Sequence, residues 1–416
     1  MLRKLSTATL IAAAVLVGLV AQAGSYLFAL PATGTTDESS LARGGSHPVG
    51  VRVVGEEDSP IPMTIWYPAL EDSTRAATTY SYAINMLGPN TATALATYGG
   101  AARHGLAADR SGGPYPLVIL SHGFAITASS YAWLAEHVAS WGFVVLAPHH
   151  EESLDPGALW RSTIERPEDI GATLAFAVET TRLGGDLDGM IDTGSVAVVG
   201  HSYGGYTALA AAGARIDPQG LQDSCELAYE VDDPLAFLCD ALVPRLDDMA
   251  QLAGIAPDLT ALWPPLTEHN VDAVVSIAGD AAMFGEAGLA EITVPVMAIG
   301  GMADTDSPFE WGTGLTYDHI SSTRKVEVAL EGAGHMLFAG GCESVRRVLS
   351  LAPLGFCSDP AWDRDDAHDV VKQHVAGFLV AELLGDPEAA AELGAADPSV
   401  SGVGYRSQGY GTGGSQ

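Results

Sequence analysis

Lysine is almost absent from this chain. Lys4, Lys325 and Lys372 are the three among 416 residues. Basic residues number 19 against 51 acidic ones, a formal net charge of −32. Nucleic acid and anionic membrane surfaces would repel such a chain, so neither is an expected partner. Cysteine is also scarce, with four residues, and no C-x-x-C or matched histidine spacing occurs. That removes the usual ligand patterns of a zinc site, and the expectation is neither metal nor cofactor. No internal repeat is evident, which removes solenoid and propeller architectures. What is abundant is apolar side chain, 47% of residues, in a chain long enough for one large α/β domain with insertions.

The most informative stretch is Gly200-His201-Ser202-Tyr203-Gly204. It follows an apolar run, Ser195 to Val199, and precedes an alanine-rich one, Tyr206 to Ala212. That context predicts strand, sharp turn and helix, the G-x-S-x-G elbow that lifts a serine above a sheet. A serine hydroxyl needs a base to become a nucleophile. Candidates follow in the expected order. Val294 to Gly300 reads as a buried strand, and its loop, Gly301 to Pro308, carries Asp304 and Asp306. A further strand, Lys325 to Leu330, leads to Gly332-Ala333-Gly334-His335. Serine, acid, histidine is the chain order of α/β-hydrolases. Upstream, the strand Leu117 to Leu120 runs into Ser121-His122-Gly123-Phe124. A tetrahedral intermediate needs N–H groups already aimed at its oxyanion, and Phe124 and Tyr203 are placed to supply them.

The segment from Pro116 to Pro148 resembles the corresponding part of the platelet-activating-factor acetylhydrolase family and of dienelactone-hydrolase-like bacterial proteins. It is also similar to cutinases and polyester hydrolases. The residues carrying the likeness are Ser121 to Phe124, Ala139 to Val145 and Gly200 to Gly205, with Ile65 to Ala69 and Gly334 to Phe338 in support. It spans about Pro48 to Gly385. It implies an α/β-hydrolase fold: a mostly parallel central sheet flanked by helices, with an insertion after the nucleophile helix. It implies Ser202 as nucleophile, Asp304 as acid, His335 as base, and Phe124 and Tyr203 as oxyanion donors. Asp304 is preferred to Asp306 because it lies nearer the strand end and matches the family position. True dienelactone hydrolases use a cysteine where this elbow has serine. The aromatic clamp of cutinase-like enzymes falls here near Gly279-Asp280.

The ends and the insertion complete the reading. Residues 1–23 read as an export signal: Arg3 and Lys4, an apolar core from Leu10 to Val20, then Ala21-Gln22-Ala23. The rival is an uncleaved membrane anchor, because apolar character continues through Tyr26 to Leu30. Residues 24–47 read as a linker, 48–385 as the hydrolase domain, and 386–416 as a disordered tail rich in Gly, Ser and Ala. Pro167 is expected to open a helix to about Leu183, and Tyr131 to Ser140 another. The insertion, about 213–270, either covers the mouth of the site or is a surface excursion. Four cysteines allow three connectivities, and short loops favour Cys225 with Cys239 and Cys342 with Cys357. Pro148-His149-His150-Glu151-Glu152 follows a strand and reads as a structural or rim element rather than a metal site. His201 is expected to pack or hydrogen-bond beneath the nucleophile.

The sequence therefore points to a secreted serine esterase that forms an acyl-enzyme on neutral esters, small or polymeric. No stable membrane association is expected after cleavage, and the sequence carries no reading of oligomeric state. Met283, Phe284, Met336 and Phe338, beside the catalytic loops, are the expected apolar lining. The competing readings are a non-catalytic binding protein of the same fold, and a thioesterase or peptidase using the same residues.

Overall fold

The computed structural model describes residues 41–85, 92–152, 155–185, 187–256, 258–267, 271–340, 358–395 and 400–411. The export-signal segment, Cys342 and Cys357 lie outside them. Among the described residues, one sheet holds β1 (Val49–Val54), β2 (Met63–Pro68), β3 (Ala77–Asn85), β4 (Ala92–His104), β5 (Tyr115–Ser121), β6 (Val144–Pro148), β7 (Ile191–His201), β8 (Ala273–Ile277), β9 (Val296–Gly301), β10 (Lys325–Leu330) and β11 (Val403–Gln408). The spatial order is β11-β10-β9-β8-β7-β5-β6-β2-β1-β4-β3. From β6 through β5, β7, β8 and β9 to β10 every pairing is parallel. The β2–β6, β1–β2, β3–β4 and β10–β11 pairings are antiparallel. The result is a mostly parallel sheet with helices on both faces.

The central strands are apolar throughout because both faces are covered. Side chains alternate across the sheet, so neighbours in sequence enter different cores. Leu117 and Ile119 join one core, with Ile164, Ile170, Tyr206 and Leu209. Val118 and Leu120 join the other, with Leu134, Val371, Val375 and Phe378. The first core is covered by helices α2 (Leu159–Thr180), α3 (Tyr203–Ala211), α4 (Pro218–Val231), α5 (Ala236–Leu242) and α6 (Leu246–Leu252). The second is covered by α1 (Ala132–Ser140) and α9 (Arg364–Leu383). Helices α7 (Gly285–Leu289), α8 (Thr313–His319) and α10 (Pro387–Gly394) are the others among the described residues.

Helix α2 corrects an expectation. Pro167 does not open it but sits inside it. Proline has no N–H, so the carbonyl four residues earlier, on Thr163, loses its helical partner. The Tyr206 hydroxyl donates to that carbonyl at 2.7 Å. Tyr206 belongs to the elbow helix α3, so the cost of an internal proline is offset from a neighbouring element. Nothing in the local sequence of α2 announces this.

The C-terminal region is the second correction. Residues 386–416 do not form a disordered tail over their described part. Asp386 caps α10 by accepting from the N–H groups of Glu388 and Ala389. Then β11 pairs antiparallel with β10, from Lys325 opposite Gln408 to Leu330 opposite Val403. Arg406 forks onto Glu327 and donates to Asp318 at 2.9 Å. The glycines that suggested disorder bound the strand instead: Gly402 and Gly409 both take φ of +83°. Pairing also covers what would be an open edge of β10.

The end of the expected linker is likewise fixed. His47 N–H donates to the Ser140 carbonyl at 3.1 Å, Gly45 N–H to Ser140 Oγ at 2.8 Å, and the His137 ring to the Leu41 carbonyl at 3.0 Å. The segment after α3 folds as α4 to α6, with a Cys225–Cys239 disulfide joining α4 to α5. Among the described residues, no helix is long and apolar enough to cross a membrane.

Tyr206→Phe should destabilise the protein by about 1–3 kcal/mol, because the buried Thr163 carbonyl is left unsatisfied. In a Pro167→Ala background that loss should shrink, since the new N–H can reach the same carbonyl. Urea unfolding of the four variants in the cycle measures both terms. Equal losses in the two backgrounds would contradict the assignment.

Candidate active site

The site lies at the carboxyl ends of the parallel strands, where open α/β sheets bind ligands. The turn from β7 to α3 holds Ser202 at φ 57°, ψ −124°. A non-glycine residue in that region costs on the order of 1–3 kcal/mol, and only a fully determined turn holds it. The turn is determined by close backbone approach. A Cβ on Gly200 would lie 2.0 Å from the Gly204 carbonyl oxygen. One on Gly204 would lie 2.0 Å from the Ser121 carbonyl oxygen, and one on Gly205 would lie 2.6 Å from the Gly279 Cα. The glycines of the motif are therefore required by contacts to β5 and β8 as well as by the turn.

Three side chains converge there. Ser202 Oγ lies 2.8 Å from His335 Nε2. His335 Nδ1 donates to Asp304 Oδ2 at 2.7 Å. The other oxygen, Asp304 Oδ1, accepts from the N–H groups of Asp306 and Ser307, both at 2.9 Å. Asp304 is buried, whereas Asp306 is exposed and takes part through its backbone. With Nδ1–H committed to Asp304, Nε2 is free to accept from Ser202.

On the other side of Ser202 are two backbone donors. Among the described residues, the N–H groups of Phe124 and Tyr203 have no hydrogen-bond partner. Tyr203 begins α3, so its N–H is one of the unpaired donors at a helix start. A bracing chain links the two halves of the site. Gly123 N–H donates to Tyr131 Oη at 3.2 Å, Tyr131 O–H to His201 Nδ1 at 2.8 Å, and His201 Nε2–H to the His335 carbonyl at 3.2 Å. His201, next to Ser202, is thus hydrogen-bonded through both ring nitrogens, which assigns its tautomer.

A second serine–histidine–aspartate line lies close by. Ser121 Oγ is 2.9 Å from His150 Nε2, and His150 Nδ1 is 2.7 Å from Asp169 Oδ2. Distance alone does not separate it from the first line. Burial and charge do. Ser121 is 1% exposed, at the end of a central strand. Burial, with the Arg166 charge beside it, holds His150 well below the ordinary histidine range. Burial pushes Asp169 up to about 7, opposed by Arg166. For His335 the balance reverses. Burial opposes its charge, but the Asp304 charge and hydrogen bond outweigh it, joined by Asp306 and Asp280, and the pKa is raised to about 9. The surroundings of the two imidazoles thus act in opposite directions on their charge.

The expected apolar lining is largely corrected. Met283, Phe284 and Phe338 are 0%, 0% and 1% exposed. Phe284 stacks on Tyr206 with ring centroids 5.0 Å apart, and Phe338 packs 5.9 Å from the His201 ring. They are core side chains, since a short helical turn after a strand end is as easily buried as exposed. Met336 and Phe124 are partly exposed. The Phe124 ring meets the Tyr203 ring edge-on at 5.9 Å. Asp280, three residues after β8, is a partly exposed carboxyl. It accepts from Ser307 Oγ at 2.7 Å, and burial pushes it up to about 6.

The histidine-rich stretch scatters its side chains. His149 Nε2 meets Thr64 Oγ1 at 3.0 Å, His150 turns to Ser121 and Asp169, and Glu152 pairs with Arg166. Among the described residues, no three His, Cys, Asp or Glu side chains are grouped to hold a metal ion. Tyr131 and Arg166 were not singled out as site residues in the sequence, and Glu152 was read only as part of a structural or rim stretch. A lone tyrosine, or a helical arginine among exposed-type neighbours, carries no local signal of a role beneath a loop.

Comparison with known proteins adds a partial match. A family model described as chlorophyllase matches residues 105–228. That stretch carries the Phe124 loop and the elbow, whereas Asp304 and His335 lie beyond it. The chain is 34% identical over 105 residues to bis(hydroxyethyl) terephthalate hydrolase of Streptomyces coelicolor, covering 25% of this chain and 31% of that protein. It is 34% identical over 108 residues to cutinase est1 of Thermobifida alba, 26% of this chain and 34% of the relative. To chlorophyllase-1 of Arabidopsis thaliana it is 32% identical over 109 residues, 26% of this chain and 32% of the relative. The alignments span about a third of the length of these relatives. They bear out the likeness to cutinases and do not show a platelet-activating-factor acetylhydrolase or dienelactone hydrolase.

An NMR titration should place the pKa of the His335 ring above the ordinary histidine range. The charges of Asp306 and Asp280 each favour the imidazolium. Asp280→Asn and Asp306→Asn should therefore each move the titration to lower pH. An upward movement, or none in either variant, would contradict the charge assignment.

Proposed function

We propose that this protein is a serine carboxylic-ester hydrolase that works through an acyl-enzyme. The observation that carries the reading is the hydrogen-bonded line Ser202–His335–Asp304 beside two unpartnered N–H groups. Ser202 Oγ attacks the ester carbonyl carbon as His335 Nε2 takes its proton. The carbonyl oxygen becomes an oxyanion and accepts from the Phe124 and Tyr203 N–H groups. On collapse the bond to the leaving alkoxide breaks, and His335 returns the proton to release an alcohol. The acyl group remains on Ser202. Water then attacks it with His335 again as base, and the acid leaves with Ser202 restored. Asp304 holds the ring orientation and stabilises the imidazolium throughout. The partial likeness to a terephthalate-ester hydrolase, cutinases and a chlorophyllase supports ester over amide substrates.

The substrates of this reading are neutral esters. Asp280 and Asp306 beside His335 place negative charge close to the reacting centre, on a chain of net charge −32. An anionic ester meets repulsion there, which salt screens. The protein works outside the cytoplasm, a reading supported by the Cys225–Cys239 disulfide.

Ser202→Ala should abolish hydrolysis of p-nitrophenyl butyrate, a loss on the order of 10⁶-fold in kcat, with unfolding unchanged. Asp304→Asn should cost about 10⁴-fold through the wrong imidazole tautomer, and Asp306→Asn far less. Full turnover in the serine variant, or the reverse ranking of the two aspartates, would refute the roles given.

For a dicarboxylate monoester and its neutral diester, steady-state rates at low salt should favour the diester. The gap should narrow at about 1 M salt, where the screening length is about 3 Å. A faster monoester at low salt would exclude this view of the entrance.

A further inference from the structure

A buried ion pair lies behind the Phe124 loop. The side chains of Arg166 and Glu152 are 1% and 2% exposed. Arg166 Nε donates to Glu152 Oε2 at 3.0 Å, and Nη2 donates to Glu152 Oε1. The guanidinium then turns to the loop. Nη1 donates to the His122 carbonyl at 2.7 Å and Nη2 to the Gly123 carbonyl at 3.3 Å. From the far side of Phe124, the Ala125 N–H donates to Glu152 Oε1 at 2.6 Å. The pair therefore grips backbone groups before and after Phe124.

Further groups of the loop are also committed. His122 Nδ1–H donates to the Gly123 carbonyl at 2.8 Å, and its Nε2 accepts from the His150 N–H at 3.1 Å. Gly123 N–H is bound by Tyr131 Oη at 3.2 Å. Ala125 sits at φ 56°, a backbone conformation that only its surroundings can hold. Among the described residues, the Phe124 N–H has no hydrogen-bond partner. The same guanidinium lies 5.5 Å from the ring centroid of Tyr203, whose N–H is the other unpartnered donor.

A buried ion pair is weak grounds for stability, because apolar replacements of similar volume often do as well. An apolar pair could not satisfy three backbone groups around a single N–H. We propose that Arg166 and Glu152 are positioning residues for the oxyanion hole: their pair fixes residues 122–125 so that the Phe124 N–H is aimed before an ester arrives. This rests on the serine-hydrolase reading above. Neither residue touches substrate. Their effect is to be felt in the transition state, where the oxyanion forms, and not in ground-state binding.

The test uses the full chain, p-nitrophenyl butyrate as substrate and phenylboronic acid as a tetrahedral anionic mimic on Ser202. Arg166→Met should lower kcat by about 10²-fold or more, the loss seen when one oxyanion donor is removed, with KM changed by less than about 3-fold. Boronate affinity should fall in parallel. In wild type the Phe124 amide proton should shift downfield on boronate binding, and in Arg166→Met it should not. Arg166→Met leaves a buried charge on Glu152, so the double variant Arg166→Met/Glu152→Leu separates folding from positioning. It should melt above Arg166→Met, since no unpaired charge stays buried, while kcat and the amide shift stay lost. Recovery of kcat in the double variant would overturn the proposal. So would an Arg166→Met variant with normal kcat. Labelling of wild-type Ser202 by a fluorophosphonate distinguishes the two levels. Without labelling or hydrolysis in wild type, the hydrolase reading falls and this inference with it. With labelling intact and Arg166 indifferent, only the inference falls.

Discussion

The site depends on one close approach of backbone to backbone. Gly204, at the start of α3, sits against the Ser121 carbonyl at the end of β5, with no room for a Cβ. That contact sets the elbow and the Phe124 loop side by side, because the loop leaves β5 one residue later. Gly205 approaches Gly279 in the same way and draws the end of β8 against the elbow. Ser202 is held in its unfavourable backbone conformation by these neighbours, not by its own preference. Each glycine lacks a side chain so that three strand ends can converge.

Electrostatics then decides which of the converged groups can act. Most imidazoles near the site are driven neutral. His122, His150 and His201 are held well below the ordinary range, burial being the largest cause and neighbouring cations or imidazoles adding to it. They serve as fixed donors and acceptors in the bracing chains. His335 is buried as they are, but three carboxyls face it and its proton affinity rises. The two serine–histidine–aspartate lines are near twins in distance. They differ in the sign of the charge nearby: Arg166 beside one, Asp280 and Asp306 beside the other. Local field, more than geometry, distinguishes the two lines.

The polar interior has a consistent logic. Buried polar groups must be paired, and here the partners come from distant elements. Tyr206 on α3 serves a carbonyl that Pro167 leaves open on α2. Arg166 on α2 serves carbonyls of the loop after β5. Tyr131 joins that loop to the elbow, and His201 joins the elbow to His335. Helix, elbow and loops are thereby one hydrogen-bonded unit around Ser202, a preorganised arrangement of the kind that stabilises developing charge.

The sequence by itself determined what is encoded locally. A five-residue elbow between an apolar and an alanine-rich run, then an acid and a histidine after successive strands, pointed to Ser202, His335 and Phe124 and narrowed the acid to Asp304 or Asp306. Apolar runs bounded by glycine fixed the central strands for the same reason: steric and burial preferences act within a few residues. Tertiary structure decided whatever depends on partners far along the chain. It chose Asp304 over Asp306 by burying one carboxylate against His335. It turned Met283, Phe284 and Phe338 into core, because exposure belongs to the packed molecule and not to the residue. It paired a glycine-rich C-terminal stretch with an open strand edge, and tolerated Pro167 inside a helix through a hydroxyl from another. The pairing of Arg166 with Glu152 was invisible for the same reason. Their meaning lies in three backbone groups that only the fold brings within hydrogen-bond reach.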